Sequence, residues 1–151
     1  MKGLIQRVTN GKVSINGKVI SQIGTGYIIL LGVSEKDTEK EADLLAEKTV
    51  NLRIMSDEQD KMNKSILDIG GEILVVSQFT LLSDATGGRR PSFIKAAKRD
   101  LANKLYLYFV DRLKNLGVIN VQTGEFGAYM SVEIINDGPV TILLDTQELK
   151  N

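Results

Sequence analysis

The chain has 151 residues, of which 42% are hydrophobic and 25% charged, as is typical of one globular domain with a sizeable core. Basic and acidic residues number 19 each, so the formal net charge is zero and no bulk attraction to nucleic acid or acidic membranes is expected. Cysteine and histidine are absent, which excludes disulfides, thiolate metal sites and every histidine-dependent catalytic triad. No apolar run is long enough to span a bilayer, and charge interrupts the N-terminus early, so a cytoplasmic protein is expected.

The first thirty residues have the pattern of a β-meander. Short apolar segments alternate with polar residues and are separated by Asn10-Gly11 and Asn16-Gly17, and Asn-Gly is a strong hairpin signal. The continuous apolar run 27–31 predicts a central strand. We therefore expect four strands in this region, with a hairpin at each Asn-Gly pair.

Two main helices are expected in the middle of the chain. Thr38 and Glu41 fit a capping box, and apolar residues follow at helical spacing. A longer helix is predicted from an N-cap at Asp100 to a C′ stop at Gly117. Pro91 suits the start of a shorter helix before it.

Between the two helices lies the apolar run 73–76, which predicts a strand buried on both faces. Ser77, Gln78 and Thr80 then bring three hydrogen-bonding side chains to the end of that strand, with Phe79 among them. Buried polar groups cost free energy unless they are paired. These side chains are therefore either satisfied inside the protein or directed toward a ligand.

Three features toward the C-terminus allow both a structural and a functional interpretation. Arg89-Arg90 opens the clearest concentration of positive charge, and suits either a solvated loop or a phosphate of an RNA backbone. Phe126 and Met130 suit either the core or a wall for a nucleobase. Gly138-Pro139 suits either a hairpin turn with a trans proline, or a cis peptide that forms a rigid wall without side chains.

Two segments, taken together, resemble the two signature motifs of the D-aminoacyl-tRNA deacylase family. They are Ser77-Gln78-Phe79-Thr80-Leu81 and Asn136-Asp137-Gly138-Pro139-Val140-Thr141. Shorter segments extend the resemblance in the family's order: Gln6-Arg7-Val8, Leu31-Gly32-Val33, Asn51-Leu52-Arg53, Lys61-Met62-Asn63, Gly88-Arg89-Arg90-Pro91-Ser92-Phe93 and Phe126-Gly127-Ala128. Residues 1–151 are therefore interpreted as a single deacylase-like domain.

The pattern of elements and the resemblance together imply an α+β fold. A curved, barrel-like and mostly antiparallel sheet is expected, with about two to three helices packed outside it and the domain paired in a homodimer. The resemblance implies a cytoplasmic hydrolase without metal or cofactor that cleaves the ester bond of D-aminoacyl-tRNA, and also acts on glycyl-tRNA such as mischarged Gly-tRNA(Ala). Its role would be proofreading in translation quality control.

The resemblance also implies roles for particular residues. In that family the Gly-Pro peptide, here Gly138-Pro139, is cis and enters the pocket of the partner subunit, where its carbonyls hold the substrate's amino group and leave no space for an L side chain. The residues that carry over are Ser77, Gln78, Phe79 and Thr80 around the ester, Phe126 and Met130 around the adenine, Arg7 behind the Gly-Pro loop, and Arg89 and Arg90 toward the tRNA backbone.

Two departures from the family pattern stand out. Ala85-Thr86-Gly87 occupies a place where the family usually has a basic residue, which weakens the expected docking of tRNA there. Tyr129 replaces a common acidic residue beside the adenine wall.

Without histidine, two routes to ester hydrolysis remain. Thr80 could act as a nucleophile, or the protein could position the ester while backbone N–H groups near Phe79-Thr80 hold the oxyanion and the tRNA 2′-OH assists a water. The second route is favoured because the sequence supplies no base for Thr80. The competing hypotheses are a non-catalytic RNA- or nucleotide-binding dimer and a purely structural oligomer.

Overall fold

The structure is a computed structural model that describes residues 1–149, and its main sheet is organised around one long strand. The strands are β1 (Lys2–Ile15), β2 (Lys18–Ile23), β3 (Gly26–Gly32), β4 (Met55–Ser56), β5 (Met62–Lys64), β6 (Glu72–Ser77), β7 (Val121–Thr123) and β8 (Ser131–Asp145), and the helices are α1 (Glu39–Asn51) and α2 (Arg99–Asn115). The first half of β1 pairs with β3 and its second half with β2, both antiparallel. β8 runs antiparallel along the other edge of β1.

The prediction of a hairpin at Asn10-Gly11 is wrong, because β1 continues through both residues. Gly11 is paired on both sides, with Ile23 and with Ile134. A Cβ atom at this position would overlap the side chain of Ile28, so the glycine permits close packing inside a continuous strand. Asn16-Gly17 does form the expected hairpin, with φ of 50° and 77° in the left-handed region that a two-residue turn requires.

Beyond β3 the sheet becomes parallel. β3 pairs with β6, and β6 pairs with β7, which gives the strand order β2-β1-β3-β6-β7. The residues Ile73, Leu74, Val75 and Val76 of β6 are all buried, as the apolar run predicts for a strand covered on both faces. The expectation of a mostly antiparallel sheet is confirmed by the three β1 pairings, and the β3–β6 and β6–β7 pairings are the parallel exceptions.

The two helices pack against each other and cover one face of the sheet. The capping box of α1 is confirmed, because the Thr38 hydroxyl accepts from the Lys40 N–H at 3.3 Å and the Glu41 carboxylate accepts from the Thr38 N–H at 2.7 Å. α2 buries Leu105, Phe109 and Leu113, which follow one another at a spacing of four residues on one face of the helix. A smaller apolar cluster lies on the opposite face of the sheet.

The predicted boundaries before α2 are wrong. No helix begins at Pro91, since the segment from Pro91 to Lys98 has only isolated turns and bridges. The N-cap of α2 is Lys98 rather than Asp100, which instead lies in the first turn. The stop at Gly117 is confirmed, with φ of 105° at the position that closes a helix C-terminus.

The prediction of a turn at Asn136-Asp137-Gly138-Pro139 is also wrong, because β8 continues through these residues. Val8 pairs with Asn136 and Gln6 pairs with Thr141, so the segment from Asp137 to Val140 bulges opposite the single residue Arg7. Proline has no N–H to donate to a ladder, and a bulge is where a strand tolerates it. The Gly138-Pro139 peptide in this bulge is cis.

The architecture is thus a single α+β domain with a nearly closed, barrel-like sheet and two α-helices outside it. A small two-stranded sheet, β4-β5, forms the irregular hairpin after α1. Among residues 1–149, no helix has both the length and the apolar character needed to cross a membrane.

Candidate active site

The polar end of β6 turns sharply into a short 3-10 helix at Phe79–Leu82. The Gln78 N–H donates to the Leu31 carbonyl at 2.8 Å, which extends the β3–β6 pairing by one residue before the chain turns. Gly32 makes room for this turn, since a Cβ atom there would lie 2.6 Å from Leu82 Cδ2 and 3.1 Å from the Gln78 oxygen. The strand end is therefore held against β3 by a main-chain hydrogen bond and a close glycine contact.

A cavity of about 540 Å³ opens beside this turn, within the size range of small-molecule sites. Its lining includes five of the residues singled out from the sequence: Ser77, Gln78, Phe79, Phe126 and Met130. The structure therefore brings the end of β6 together with the aromatic and thioether side chains that follow β7. Phe79 is 54% exposed and meets Phe93 edge-to-face, with 5.0 Å between the ring centroids.

The wall that carries Phe126 is attached to β6 from behind. The Gly124 N–H donates to the Val75 carbonyl at 3.2 Å, and the hydroxyl of buried Tyr106 donates to the same carbonyl at 2.8 Å. Burial raises the pKa of Tyr106 to about 12, so this hydroxyl stays protonated and remains a donor. Its ring packs against Phe126 with centroids 5.8 Å apart. The Phe126 wall and the β6 side of the cavity are thus joined through hydrogen bonds to the Val75 carbonyl.

Arg99 supplies the positive charge in the cavity. It is the first residue of α2, and its guanidinium carbon lies 5.8 Å from the centroid of the Phe126 ring, within reach of a cation–π interaction. Gly127 has φ of 78° and lies directly beneath the guanidinium, where a Cβ atom would be 2.9 Å from Nη2. In the part of the chain that the structure describes, no carboxylate lines this cavity.

Thr80 is not in the cavity wall. It is exposed in the 3-10 helix, and its hydroxyl oxygen accepts a hydrogen bond from the Gln78 side-chain amide. A threonine nucleophile needs a neighbouring group that can accept its proton. The amide nitrogen donates and cannot do so.

Gly138 and Pro139 lie apart from the cavity of their own chain. Both are exposed on the β8 bulge, and neither contributes to the cavity lining. Buried Arg7 lies behind the bulge, where its Nε donates to the Asp137 carbonyl at 2.9 Å and its Nη1 donates to the Ile54 carbonyl at 2.7 Å. Arg7 therefore fixes the residue that precedes Gly138 to the body of the domain.

Arg89 and Arg90 are exposed in the loop between Asp84 and Ser92. The base of the loop is closed by two main-chain hydrogen bonds between these two residues, at 2.9 and 2.8 Å. Hydrogen bonds from the Thr86 hydroxyl and N–H, followed by a contact with Lys95, lower the pKa of Asp84 to about 2. The two arginines thus extend from a loop with an ordered base, outside the cavity.

A sequence profile of the D-Tyr-tRNA(Tyr) deacylase family matches residues 4–145. A D-aminoacyl-tRNA deacylase of Clostridium botulinum strain 657 is 55% identical over 148 residues, covering 98% of this chain and 99% of the relative. The chain belongs to the D-Tyr-tRNA(Tyr) deacylase family. This membership confirms the resemblance found in the sequence and identifies the chain as a hydrolase.

Two solved structures share the deacylase fold. One, described as a c-Myc DNA unwinding element binding protein, superposes with a TM-score of 0.91 at 44% identity, over 96% of this chain and 98% of the other. A probable eukaryotic D-amino acid tRNA deacylase superposes with a TM-score of 0.79 at 18% identity, over 95% and 97% of the two chains. At that low identity, the second match supports the fold alone.

The sequence reasoning missed several residues that line the cavity. Arg99 was not among the residues singled out from the sequence, yet at the start of α2 it lines the cavity. Ala97, Ala102 and Val132 complete the apolar wall, and no local signal distinguishes them from ordinary core residues. Tyr129, one of the two departures from the family pattern, lies at the rim and is 98% exposed.

Proposed function

We propose that this protein hydrolyses the ester bond between a D-amino acid and the terminal adenosine of tRNA. The observation that carries the proposal is the cavity at the end of β6, which combines the polar strand end with Phe126 and Met130 as a wall for a flat base. Its volume of about 540 Å³ suits a nucleoside with an attached aminoacyl group. Family membership supplies the class of reaction.

The mechanism we propose relies on positioning. The chain has no histidine, and no carboxylate lines the cavity within residues 1–149, so no side chain there is an evident general base. Phe79 and Thr80 occupy the first positions of the 3-10 helix, where N–H groups have no partner within a helix and can hold an oxyanion. The 2′-OH of the terminal ribose then assists the attacking water. Correct orientation alone contributes on the order of 7–11 kcal/mol at best.

Selection against L-aminoacyl groups is assigned to Gly138-Pro139 of a partner subunit. Within one chain this peptide is exposed and does not line the cavity, while Arg7 fixes the preceding residue, Asp137, from behind. A rigid main-chain segment inserted into the partner's cavity would bind the substrate's amino group and clash with an L side chain. Because the L side chain is rejected by a steric clash, the cavity does not need specific contacts with the D side chain, and many different D side chains can enter. Glycine has no side chain to exclude, so glycyl-tRNA, including mischarged Gly-tRNA(Ala), is an expected second substrate.

The decisive experiment compares D-tyrosyl-tRNA, L-tyrosyl-tRNA and glycyl-tRNA with the purified protein, following release of the amino acid from acid-precipitable tRNA. We expect rapid release from the D and glycyl esters and release from the L ester at the uncatalysed rate. Equal rates for D and L esters would exclude chiral selection. Tight binding of tRNA without release from any ester would favour the non-catalytic binding protein.

Binding to a DNA unwinding element, which the description of one structural relative names, has no specific support in this chain. Binding to the phosphate backbone draws most of its affinity from clustered lysine and arginine. The formal net charge here is zero, and the clearest basic cluster is a single exposed loop around Arg89 and Arg90.

A further inference from the structure

Tyr129 is an aromatic side chain exposed on the rim of the candidate active site. It is 98% exposed, more than any other large hydrophobic side chain among the described residues. Burying an aromatic ring is a major source of stability, so a ring left almost wholly in water contributes little to the fold. The exposure of Tyr129 therefore points to a contact with another molecule.

The rim on which Tyr129 lies separates two cavities. Tyr129 and Met130 line both the cavity at the end of β6 and a second, open cavity of about 760 Å³. The second cavity lies along the β1–β2 hairpin, and its remaining walls are mostly polar, including Lys12, Ser14 and Ser131. An extended ligand that fills the first cavity thus has a continuous path past Tyr129 into the second.

Charge in the second cavity is largely neutralised. The ammonium of Lys12 lies 3.1 Å from a carboxylate oxygen of Glu133, and both residues line the cavity. A bound polynucleotide would gain little from phosphate contacts there, whereas an exposed aromatic ring can stack on any base. Stacking on Tyr129 is therefore the interaction that this rim offers to a nucleic acid.

We propose that Tyr129 stacks on the base of the nucleotide that precedes the terminal adenosine, a cytidine in the CCA end of tRNA. The inference rests on the proposed function, which places the terminal adenine between Phe126 and Met130. Because Met130 belongs to both cavities, the adjoining nucleotide leaves the first cavity at Tyr129. Tyr129 thus makes the enzyme sensitive to the penultimate nucleotide without touching the ester.

The kinetic test compares two minimal substrates, 3′-O-D-tyrosyl-adenosine and D-tyrosyl-cytidylyl-adenosine, with wild type, Tyr129→Ala and Tyr129→Phe. We expect Tyr129→Ala to lower kcat/KM for the dinucleotide relative to the mononucleoside by roughly 5- to 100-fold, the range given by base stacking on an aromatic ring. Tyr129→Phe should restore the wild-type ratio, since stacking needs the ring and not the hydroxyl. Ile119→Ala, a control at an exposed residue outside both cavities, should leave the ratio unchanged. Equal losses on both substrates, or no loss on either, would overturn the proposal.

A binding measurement separates this inference from the proposed function. Isothermal titration with unacylated cytidylyl-adenosine and with adenosine requires no hydrolysis. We expect wild type to bind the dinucleotide more tightly, and Tyr129→Ala to bind the two equally. That result in a protein that cleaves no D-aminoacyl ester would reject the proposed function and keep the stacking site. A wild type that binds both ligands equally would reject the stacking site alone.

Discussion

The amide group of Gln78 faces the hydroxyl of Thr80, and this contact limits the chemistry that Thr80 can perform. The amide nitrogen donates its hydrogen to the threonine oxygen, so it cannot withdraw the hydroxyl proton to create a nucleophile. Thr80 is also exposed and outside the cavity lining. At the level of single residues, these observations favour a role in holding Gln78 and the surrounding turn in place.

Substitution of Thr80 tests this directly. We expect Thr80→Ala to retain deacylation of D-tyrosyl-tRNA within about tenfold of wild type, because losing a true nucleophile lowers kcat by several orders of magnitude. Thr80→Ser, which keeps the hydroxyl, is the matched control and should equal wild type. Single-turnover kinetics with saturating enzyme would separate chemistry from binding. Complete loss of turnover in Thr80→Ala with unchanged substrate affinity would establish Thr80 as the nucleophile.

Local motifs identified only part of the cavity. The motif at the end of β6 led to Ser77, Gln78 and Phe79, because polar side chains after a buried apolar run are unusual enough to notice. Arg99 could not be placed in this way, since its entry into the cavity depends on where α2 starts relative to the turn at Gly127. That distance is set by packing between elements far apart in the sequence.

At the scale of elements, the loop from Asp84 to Ser92 has an ionised side chain hydrogen-bonded near its base, and we expect its order to depend on pH. The Asp84 carboxylate accepts from the Thr86 N–H at 3.0 Å and from the Thr86 hydroxyl at 2.6 Å, and the pKa of Asp84 falls from 3.8 to about 2 as a result. Because the pKa in the folded loop lies below its ordinary value, folding favours the ionised form. The contribution to loop order is therefore complete above about pH 3.8 and is lost as pH falls through about 2.

Amide hydrogen exchange can measure the order of this loop as a function of pH. We expect protection of the Thr86 N–H to persist from neutral pH down to the ordinary carboxyl range, and to fall as pH approaches about 2. Asp84→Asn should lower the protection at neutral pH and remove its dependence on pH. The amide of Ala46 in α1 reports global unfolding and serves as the internal control. Equal protection of Thr86 in wild type and Asp84→Asn would show that the carboxylate does not order the loop.

Element boundaries were predicted well where the determining interactions are local. The capping box of α1, the stop of α2 at Gly117 and the Asn16-Gly17 hairpin all depend on residues within a few positions of one another. Asn10-Gly11 and Asn136–Pro139 carry equally strong turn signals, yet both lie inside strands. In each case pairing across the sheet overrides local propensity: Gly11 is held between Ile23 and Ile134, and β8 resumes its pairing with β1 at Thr141.

At the scale of the whole molecule, the exposed Gly138-Pro139 peptide does not line the cavity of its own chain, and the proposed function pairs it with the cavity of a partner subunit. This leads to a complementation prediction in which two different inactive chains are mixed. Gly138→Val places a side chain where φ is 141° and a Cβ atom would lie 2.6 Å from the Val140 nitrogen, so the peptide is distorted. Ala128→Phe leaves that peptide intact and fills the cavity.

We expect each variant alone to be inactive on D-tyrosyl-tRNA. After mixing under conditions that exchange subunits, a symmetric dimer with exchanged peptides has one complete site in each mixed pair, and activity should recover to about a quarter of wild type. Gel filtration confirms that both variants associate like wild type. Binding of adenosine to Gly138→Val, in which the cavity is unaltered, shows that the chain is folded. Failure to recover any activity from properly mixed dimers would place the peptide's action within its own subunit.

The pairing of β1 with β8 also bears on how the protein is made. It joins Lys2 to Asp145, and the β1–β8 contacts are among the most separated in the chain. Contacts between distant residues are slow to form, because the intervening chain must first be ordered. During synthesis on the ribosome, the edge of β1 that pairs with β8 stays unpaired until β8 has been made. Met130 and Val132 reach the cavity only when β8 docks, so the candidate active site should be completed late in folding. A nascent chain that stalls before β8 should then lack this cavity and should associate through the open edge of β1.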